Sequence, residues 1–186
     1  MSPVFRPMKR RDARQVASIE ARAWKTAYRG IIDPGVLRGM QPDSPRWEAR
    51  LREGRHRIWV CADGSDVLGY SMTGPNGDRD LEPGFAGEVF ALYVDPVMQG
   101  RGIGRLLLDG SFEGLEADGF LWGVVWVLEA NDAARGFYER CGLELDGGWR
   151  RTRLGRQRLP VTRYAKPLND LDPFALAALP VKNTLT

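Results

Sequence analysis

The spacing of hydrophobic residues changes several times along the chain. Val16, Ile19 and Ala23 recur at helical spacing, and Asp12 stands before them as a capping residue. Short apolar segments with the composition of strands cover residues 4–6, 57–62, 67–73, 89–94 and 124–128. The predicted order is a strand, helices, three strands, a helix, a strand, a helix and two final strands. This order indicates a mixed α+β domain.

Prolines and glycines mark the boundaries between these elements. Asp33 and Ser44 are each followed by proline, and a capping oxygen before a proline predicts two short helices. Residues 63–64 (Asp-Gly) predict the turn of a hairpin, and residues 74–84 form a polar loop before the fourth strand.

A glycine loop follows the fourth predicted strand and leads into a helix that extends to about residue 114. Glycines at alternate positions let successive backbone N–H groups turn toward one point, and a helix N-terminus adds further N–H groups and a positive dipole end. Two arginines add fixed positive charge. The sequence therefore predicts a site for a diphosphate, built from Gln99, Gly100, Arg101, Gly102, Ile103, Gly104 and Arg105.

Two common phosphate motifs do not fit this loop. A Walker loop requires a Gly-Lys-Ser/Thr sequence, which is absent here. A dinucleotide fingerprint has a different glycine spacing and follows a first strand, whereas this loop lies past the middle of the chain.

The loop and two further motifs resemble the GNAT superfamily of N-acetyltransferases. Residues 99–104 are similar to the acetyl-CoA loop of that family, written Gln/Arg-x-x-Gly-x-Gly/Ala. Upstream, residues 92–96 (Leu-Tyr-Val-Asp-Pro) resemble the end of its fourth strand. Downstream, residues 137–143 (Phe-Tyr-Glu-Arg-Cys-Gly-Leu) resemble its Phe-Tyr-x-x-x-Gly-Phe signature, with Leu143 in place of the last aromatic residue. The three motifs stand in the order that the family has.

The resemblance implies a mostly antiparallel central sheet of six to seven strands, flanked by helices and splayed between strands 4 and 5. It implies transfer of the acetyl group of acetyl-CoA to a primary amine by direct attack, through a tetrahedral intermediate. A catalytically weak acyl-CoA sensor or interaction module on the same fold is the alternative. The residues implied to bind acetyl-CoA are Leu92, Tyr93, Val94, Gln99, Gly100, Arg101, Gly102, Ile103, Gly104, Arg105, Asn131 and Tyr138.

Three residues are candidates for catalysis. Strict alternation along the fourth strand would place Glu88 on one face with Phe90, Leu92 and Val94. The resemblance implies that Glu88 is the base that deprotonates the amine; the alternative is a carboxylate in a salt bridge. It also implies that a bulge frees the backbone N–H of Leu92 for the oxyanion. Tyr138 is the implied acid, since a phenol of pKa about 10 suits a thiolate whose pKa is near 8.5.

The acceptor side is less well defined by the sequence. Trp24 and Tyr28 belong to a stretch that resembles a bacterial GNAT subgroup of mostly unassigned substrate. They line the acceptor site, together with Glu88, or they are core aromatics at four-residue helical spacing. The acidic loop at residues 78–82 either attracts a cationic amine or is a solvated loop.

The composition is that of a globular domain. The chain has 186 residues, of which 43% are hydrophobic and 27% charged, and we expect a domain at 1–167 and a tail at 168–186. No apolar run has the length of a membrane helix and the N-terminus lacks a secretory signal, so we expect a cytoplasmic protein without a membrane partner. Its expected partners are acetyl-CoA and an amine acceptor, which is a small molecule or a peptide. A homodimer is compatible with the sequence.

The cysteines and the basic residues add two further expectations. Cys61 and Cys141 are interpreted as small buried residues, with Cys141 as the candidate if a thiol carries the acyl group. One histidine and no closely spaced cysteine pair predict no metal. The net charge is only +3, and nucleic-acid binding is not expected, although five arginines lie between residues 150 and 158. They form a solvated hairpin arm or meet an acidic substrate or a nucleotide phosphate.

Overall fold

Seven strands form one sheet in the order β1-β2-β3-β4-β5-β7-β6. The computed structural model describes residues 2–168. The pairing of β4 with β5 is parallel and all the other pairs of neighbouring strands are antiparallel. The order of elements along the chain is the one that the sequence predicts. The strands are β1 (Val4–Pro7), β2 (Arg57–Asp63), β3 (Asp66–Pro75), β4 (Ala86–Val94), β5 (Trp122–Leu128), β6 (Glu144–Leu154) and β7 (Gln157–Pro167).

Helices cover both faces of this sheet. One face carries the first three helices, whose side chains pack around Trp47 and Tyr70 and around Ile32 and Leu128. The other face carries the last two, which pack on Val89 and Val125. The helices are α1 (Ala13–Ala27), α2 (Pro34–Gly39), α3 (Ser44–Glu53), α4 (Ile103–Ala117) and α5 (Asp132–Arg140).

Strands β4 and β5 diverge along their length. Their parallel pairing begins at Ala86 and Trp122 and ends at Glu88 and Val124. Beyond those residues β4 continues to Val94 without a pairing to β5. The splayed sheet expected from the sequence is therefore present, and a slot opens between the two strands.

The register of β4 shifts at Phe90. Met72 of β3 pairs with Ala91, whereas the next residue, Thr73, pairs with Val89, so Phe90 is an extra residue in β4. The alternation of side chains is broken there. Glu88 therefore lies on the α1 face of the sheet, opposite to Leu92 and Val94, which pack toward α4. The expectation that these residues share a face is wrong, because a pattern of strict alternation does not reveal an inserted residue.

Two helix starts differ from their expected form. Asp12 precedes α1, but its carboxylate pairs with Arg6 and accepts the Lys9 N–H rather than capping the helix. Asp43, not Ser44, caps α3, because its carboxylate accepts the N–H of Arg46 at 3.0 Å. Asp33 caps α2 as expected.

Three further expectations meet different outcomes. Cys61 and Cys141 are both buried free thiols. Among residues 2–168, no helix is long and apolar enough to cross a membrane. The tail expected at 168–186 lies outside the described residues from 169 onward.

Candidate active site

The glycine loop turns into α4 through backbone conformations that favour glycine. Gly100 and Gly102 have φ angles of +74° and +78°, a region that other residues rarely adopt. Gly102 is the N-cap of α4, and no side chain caps the first turn of that helix. The N–H groups of this turn are thus available to an anion from solvent, as the predicted diphosphate site requires.

The two arginines of the loop have different surroundings. Arg105 is half-exposed and pairs with Asp109 one turn further along α4, at 2.8 Å. Its charge is therefore already partly balanced within the helix. Arg101 and Gln99 are exposed at the start of the loop.

The slot between β4 and β5 lies beside this loop. Leu92 and Val94 pair with Ser71 and Gly69 of β3 on one side only, since β5 has already diverged. Backbone polar groups on the β5 side of β4 have no strand partner there. A ligand with amide groups can therefore pair with this edge, in the way that a strand would.

Glu88 lies at the point where the two strands separate. Its side chain is buried and its Oε2 accepts a hydrogen bond of 2.9 Å from Asn76 Nδ2. Burial, and after it the negative charge of Asp78, raises the pKa of Glu88 to about 7. A carboxylate with this pKa can both accept and release a proton near neutral pH.

Tyr138 is buried on α5 among aromatic rings. Its ring contacts those of Phe137 and Tyr164, with centroids 5.1 and 6.4 Å away. Burial raises its pKa well above the value near 10 that the sequence suggested, so the hydroxyl is protonated throughout the physiological range. Tyr138 is therefore a hydrogen-bond donor but a weaker acid than an exposed phenol.

The side chain of Asn131 has two polar groups, and only its oxygen caps a helix. Its Oδ1 accepts the N–H of Ala134 at 3.2 Å and so caps α5. Its Nδ2 is not used in this cap. This donor is compatible with the cofactor contact expected from the sequence.

The aromatic residues of α1 pack together above the sheet. Trp24 and Tyr28 meet edge to face with ring centroids 5.0 Å apart. The hydroxyl of Tyr28 lies 2.9 Å from that of Tyr93 on β4. Both α1 residues thus have the packing contacts of core aromatics, yet they remain partly exposed on the face that carries Glu88. Trp24 Nε1 is buried without a partner in the described part of the chain.

The acidic loop is not solvated at Asp78, contrary to one of the two expectations. The Asp78 side chain is only 7% exposed and pairs with Arg150 and Arg163. Asp80 also pairs with Arg163. Asp78 and Asp80 are therefore engaged in ion pairs with Arg150 and Arg163, so neither carboxylate stands ready to bind a cationic amine.

Four residues surround Glu88, and sequence reasoning connected none of them with it, although Asn76 belongs to the loop that the resemblance places on the acceptor side and Arg150 to the basic hairpin. They lie on the loop, β5, β6 and β7, far apart in sequence, and no local motif marks them. They are Asn76, Trp126, Arg150 and Arg163. Arg150 is the one member of the basic hairpin that reaches this group, where its guanidinium also lies 4.0 Å from the Trp126 ring centroid.

No group of three His, Cys, Asp or Glu side chains that could hold a metal ion occurs in the portion of the chain that the structure describes. The polar groups at the slot are hydrogen-bond donors and one carboxylate.

Comparison with known proteins gives the class of this fold and site. The chain is 29% identical over 142 residues to a probable N-acetyltransferase of Mycobacterium tuberculosis, covering 73% of this chain and 76% of that protein. It is 31% identical to an uncharacterized N-acetyltransferase of Bacillus subtilis, covering 68% and 72% of the two chains. The PaiA N-acetyltransferase from Thermoplasma acidophilum, solved in complex with coenzyme A, has the same fold with a TM-score of 0.70 at 17% identity, covering 90% of this chain and 99% of that one. The class is therefore that of acetyl-CoA-dependent N-acetyltransferases.

Residues 14–143 match the sequence model of the Acetyltransferase (GNAT) family. The chain belongs to this family, as the three motifs indicated.

Proposed function

We propose that the protein transfers the acetyl group of acetyl-CoA to a primary amine by direct attack, with Glu88 as the base. The observation that carries this proposal is the position of Glu88, buried at the closed end of the slot with a pKa of about 7.

The cofactor binds along the edge of the slot in this proposal. The N–H groups of Gly102, Ile103, Gly104 and Arg105 hold the diphosphate, and Gln99, Gly100 and Arg101 complete the loop. The backbone edge of β4 at Leu92, Tyr93 and Val94 pairs with the amides of the pantetheine arm. Asn131 Nδ2 supplies one more hydrogen bond. The positive-φ glycines, the uncapped helix and the unpaired strand edge support this placement.

Glu88 accepts a proton from the amine, and Tyr138 donates a proton to the leaving thiolate. An ammonium group gives one proton to the Glu88 carboxylate, and the neutral amine then attacks the thioester carbon. The backbone N–H of Leu92 stabilises the oxyanion. The C–S bond breaks and the sulfur leaves as a thiolate, which takes the proton of the Tyr138 hydroxyl. The second proton of the attacking nitrogen is lost as the amide forms and restores that hydroxyl, so the raised pKa of Tyr138 does not leave a phenolate behind.

A direct attack is favoured over an acyl-enzyme intermediate by the state of the cysteines. Cys141 is 8% exposed and packs in the core beneath Val89 and Leu143. Burial raises the pKa of its thiol, which disfavours the thiolate that an acyl carrier needs. Incubation with acetyl-CoA alone should leave the intact mass of the protein unchanged.

The amine acceptor enters from the α1 face. That face carries Glu88 together with Trp24 and Tyr28, and Asp78 and Asp80 of the acidic loop are held in ion pairs with arginines. We therefore infer that aromatic contact, more than attraction by free carboxylates, selects the acceptor, a small molecule or a peptide end.

Calorimetry and a turnover assay test the proposal together. Acetyl-CoA and CoA should both bind, and release of free thiol should depend on an amine from a panel of amino acids, peptides, polyamines and aminoglycosides. Failure to bind acetyl-CoA at millimolar concentration would contradict the cofactor site. Binding without turnover on a broad panel would instead indicate an acyl-CoA sensor.

A further inference from the structure

Arg163 on β7 is a buried arginine that holds the loop in front of β4. It is 1% exposed and donates hydrogen bonds to three carboxylates. Its Nε lies 2.7 Å from Asp146, and its terminal nitrogens lie 2.9 Å from Asp78 and 2.6 Å from Asp80. Burial alone would lower the pKa of Arg163, but these bonds raise it above its ordinary value, so the charge is permanent.

Strand β6 is shaped to receive this side chain. Its pairing with β7 is interrupted between Leu145 and Trp149, where residues 146–148 bulge out of the ladder. A side chain at Gly148 would have its Cβ 2.7 Å from Arg163 Nε, so this position has room only for glycine. The bulge places Asp146 beside the guanidinium.

Asp78 connects Arg163 to Glu88 through Asn76. The carboxylate of Asp78 accepts hydrogen bonds from Arg163, Trp126 and Arg150 at 2.6–2.9 Å. The amide nitrogen of Asn76 donates to Asp78 at 3.0 Å and to Glu88 at 2.9 Å, so one Nδ2 bridges two carboxylates. The carbonyl of the same amide accepts the Asp78 N–H, which fixes its orientation.

We propose that Asn76 is the positioning residue of Glu88, and that Asp78, anchored by Arg163, holds Asn76 in place. The inference rests on the proposed role of Glu88 as the base. On this proposal, the polar loop before β4 and the β6 bulge orient the reacting carboxylate. They do not serve to attract the amine.

The charges around Glu88 have opposing effects, and this makes the proposal testable. Asp78 on the loop disfavours ionisation of Glu88, while the Asn76 amide, Arg150 on β6 and Arg163 on β7 favour it. Asp80 and Asp146 are bonded to the same Arg163, and His56 packs on the Phe90 ring at 4.8 Å between ring centroids, next to Gly74, the residue paired with Glu88.

Two substitutions should therefore move the titration of Glu88 in opposite directions. Asn76→Ala removes a hydrogen bond to the carboxylate and should raise the pKa of Glu88 by about one pH unit. Asp78→Asn removes a like charge and should lower that pKa by about the same amount. Asp66→Asn, an exposed carboxylate change at the first residue of β3, should leave it unchanged.

Carboxyl-carbon NMR titration of the full chain measures this pKa directly, with Glu88→Gln used to assign the signal. Opposite shifts in the two variants support the positioning role. An unchanged or lowered pKa in Asn76→Ala, in a variant that binds acetyl-CoA normally, would overturn it. If Asp78→Asn does not fold, Asn76→Ala alone decides between a raised and an unchanged pKa.

The pH dependence of turnover separates this inference from the proposed function. If Glu88 is the base, the acidic limb of the rate profile should move with the NMR pKa in each variant. An NMR pKa that moves while the rate profile does not would leave the positioning role standing and would show that Glu88 is not the base.

Discussion

Replacing Glu88 by glutamine should stabilise the protein at neutral pH, although it removes the carboxylate that serves as the proposed base. The carboxylate is buried, with a folded-state pKa of about 7 against an ordinary value of 4.5. Because the folded pKa of this acid is the higher one, the folded state binds more protons between these values. Stability therefore falls as the pH rises through this window and remains lowered above it.

The difference between the two pKa values sets the size of the effect. At 1.36 kcal/mol for each unit of pKa, the ionised carboxylate costs about 3 kcal/mol of unfolding free energy at pH 8 and less than about 1 kcal/mol at pH 5. Glutamine is nearly isosteric, keeps an acceptor for Asn76 and carries no charge. The variant should thus gain about 3 kcal/mol at pH 8, which corresponds to about 6–12 °C in melting temperature for a chain of this size.

Urea unfolding of both proteins across a series from pH 5 to pH 8.5 measures this gain. The difference in unfolding free energy should grow with pH and level off above about pH 7. Glu116→Gln, an exposed carboxylate change on α4, should show no such trend. A constant difference, or a variant less stable at pH 8, would refute the electrostatic description of Glu88.

Three further predictions concern other residues. Gly102→Val should weaken acetyl-CoA binding at least about tenfold in calorimetry, because a φ of +78° suits only glycine. The control Gly64→Val changes a glycine with a φ of +59° in the β2–β3 turn and should leave binding unchanged. Tyr138→Phe should lower turnover by about 10² with acetyl-CoA affinity within a few fold, and unchanged turnover would make Tyr138 a packing residue. Tyr70→Phe should raise the free energy of unfolding by about 1 kcal/mol, because it removes a buried hydroxyl that has no partner in the described residues; a loss of stability would contradict this.

Local sequence patterns predicted the elements and the cofactor loop, because those features depend on neighbours in the chain. The glycine loop shows this, since the alternation of its glycines is visible in the sequence and Gly102 does begin α4. The mostly antiparallel sheet of six to seven strands and the divergence of β4 from β5 followed from the family resemblance.

Features that depend on distant partners were not predictable in the same way. The extra residue at Phe90 reverses the face of Glu88, and hydrophobic spacing does not reveal it. The bond between Arg163 and Asp78 joins residues 85 positions apart, so no local pattern in the sequence marks this arginine. The sequence therefore suggested Glu88 as the candidate base, but the hydrogen bonds around its carboxylate became visible only in the folded chain.

The central claim is that Glu88 removes the proton from the amine, and the ratio of wild-type to Glu88→Gln kcat/KM as a function of pH tests it most directly. The wild-type enzyme takes the ammonium form of the amine, whereas the variant has no base and depends on amine that is already neutral in solution. The account predicts a ratio of about 10² or more at and below pH 7, where ionised Glu88 and neutral amine decline together, and a fall of about tenfold for each pH unit above it as neutral amine becomes available. A ratio that stays the same across the pH range would contradict the claim.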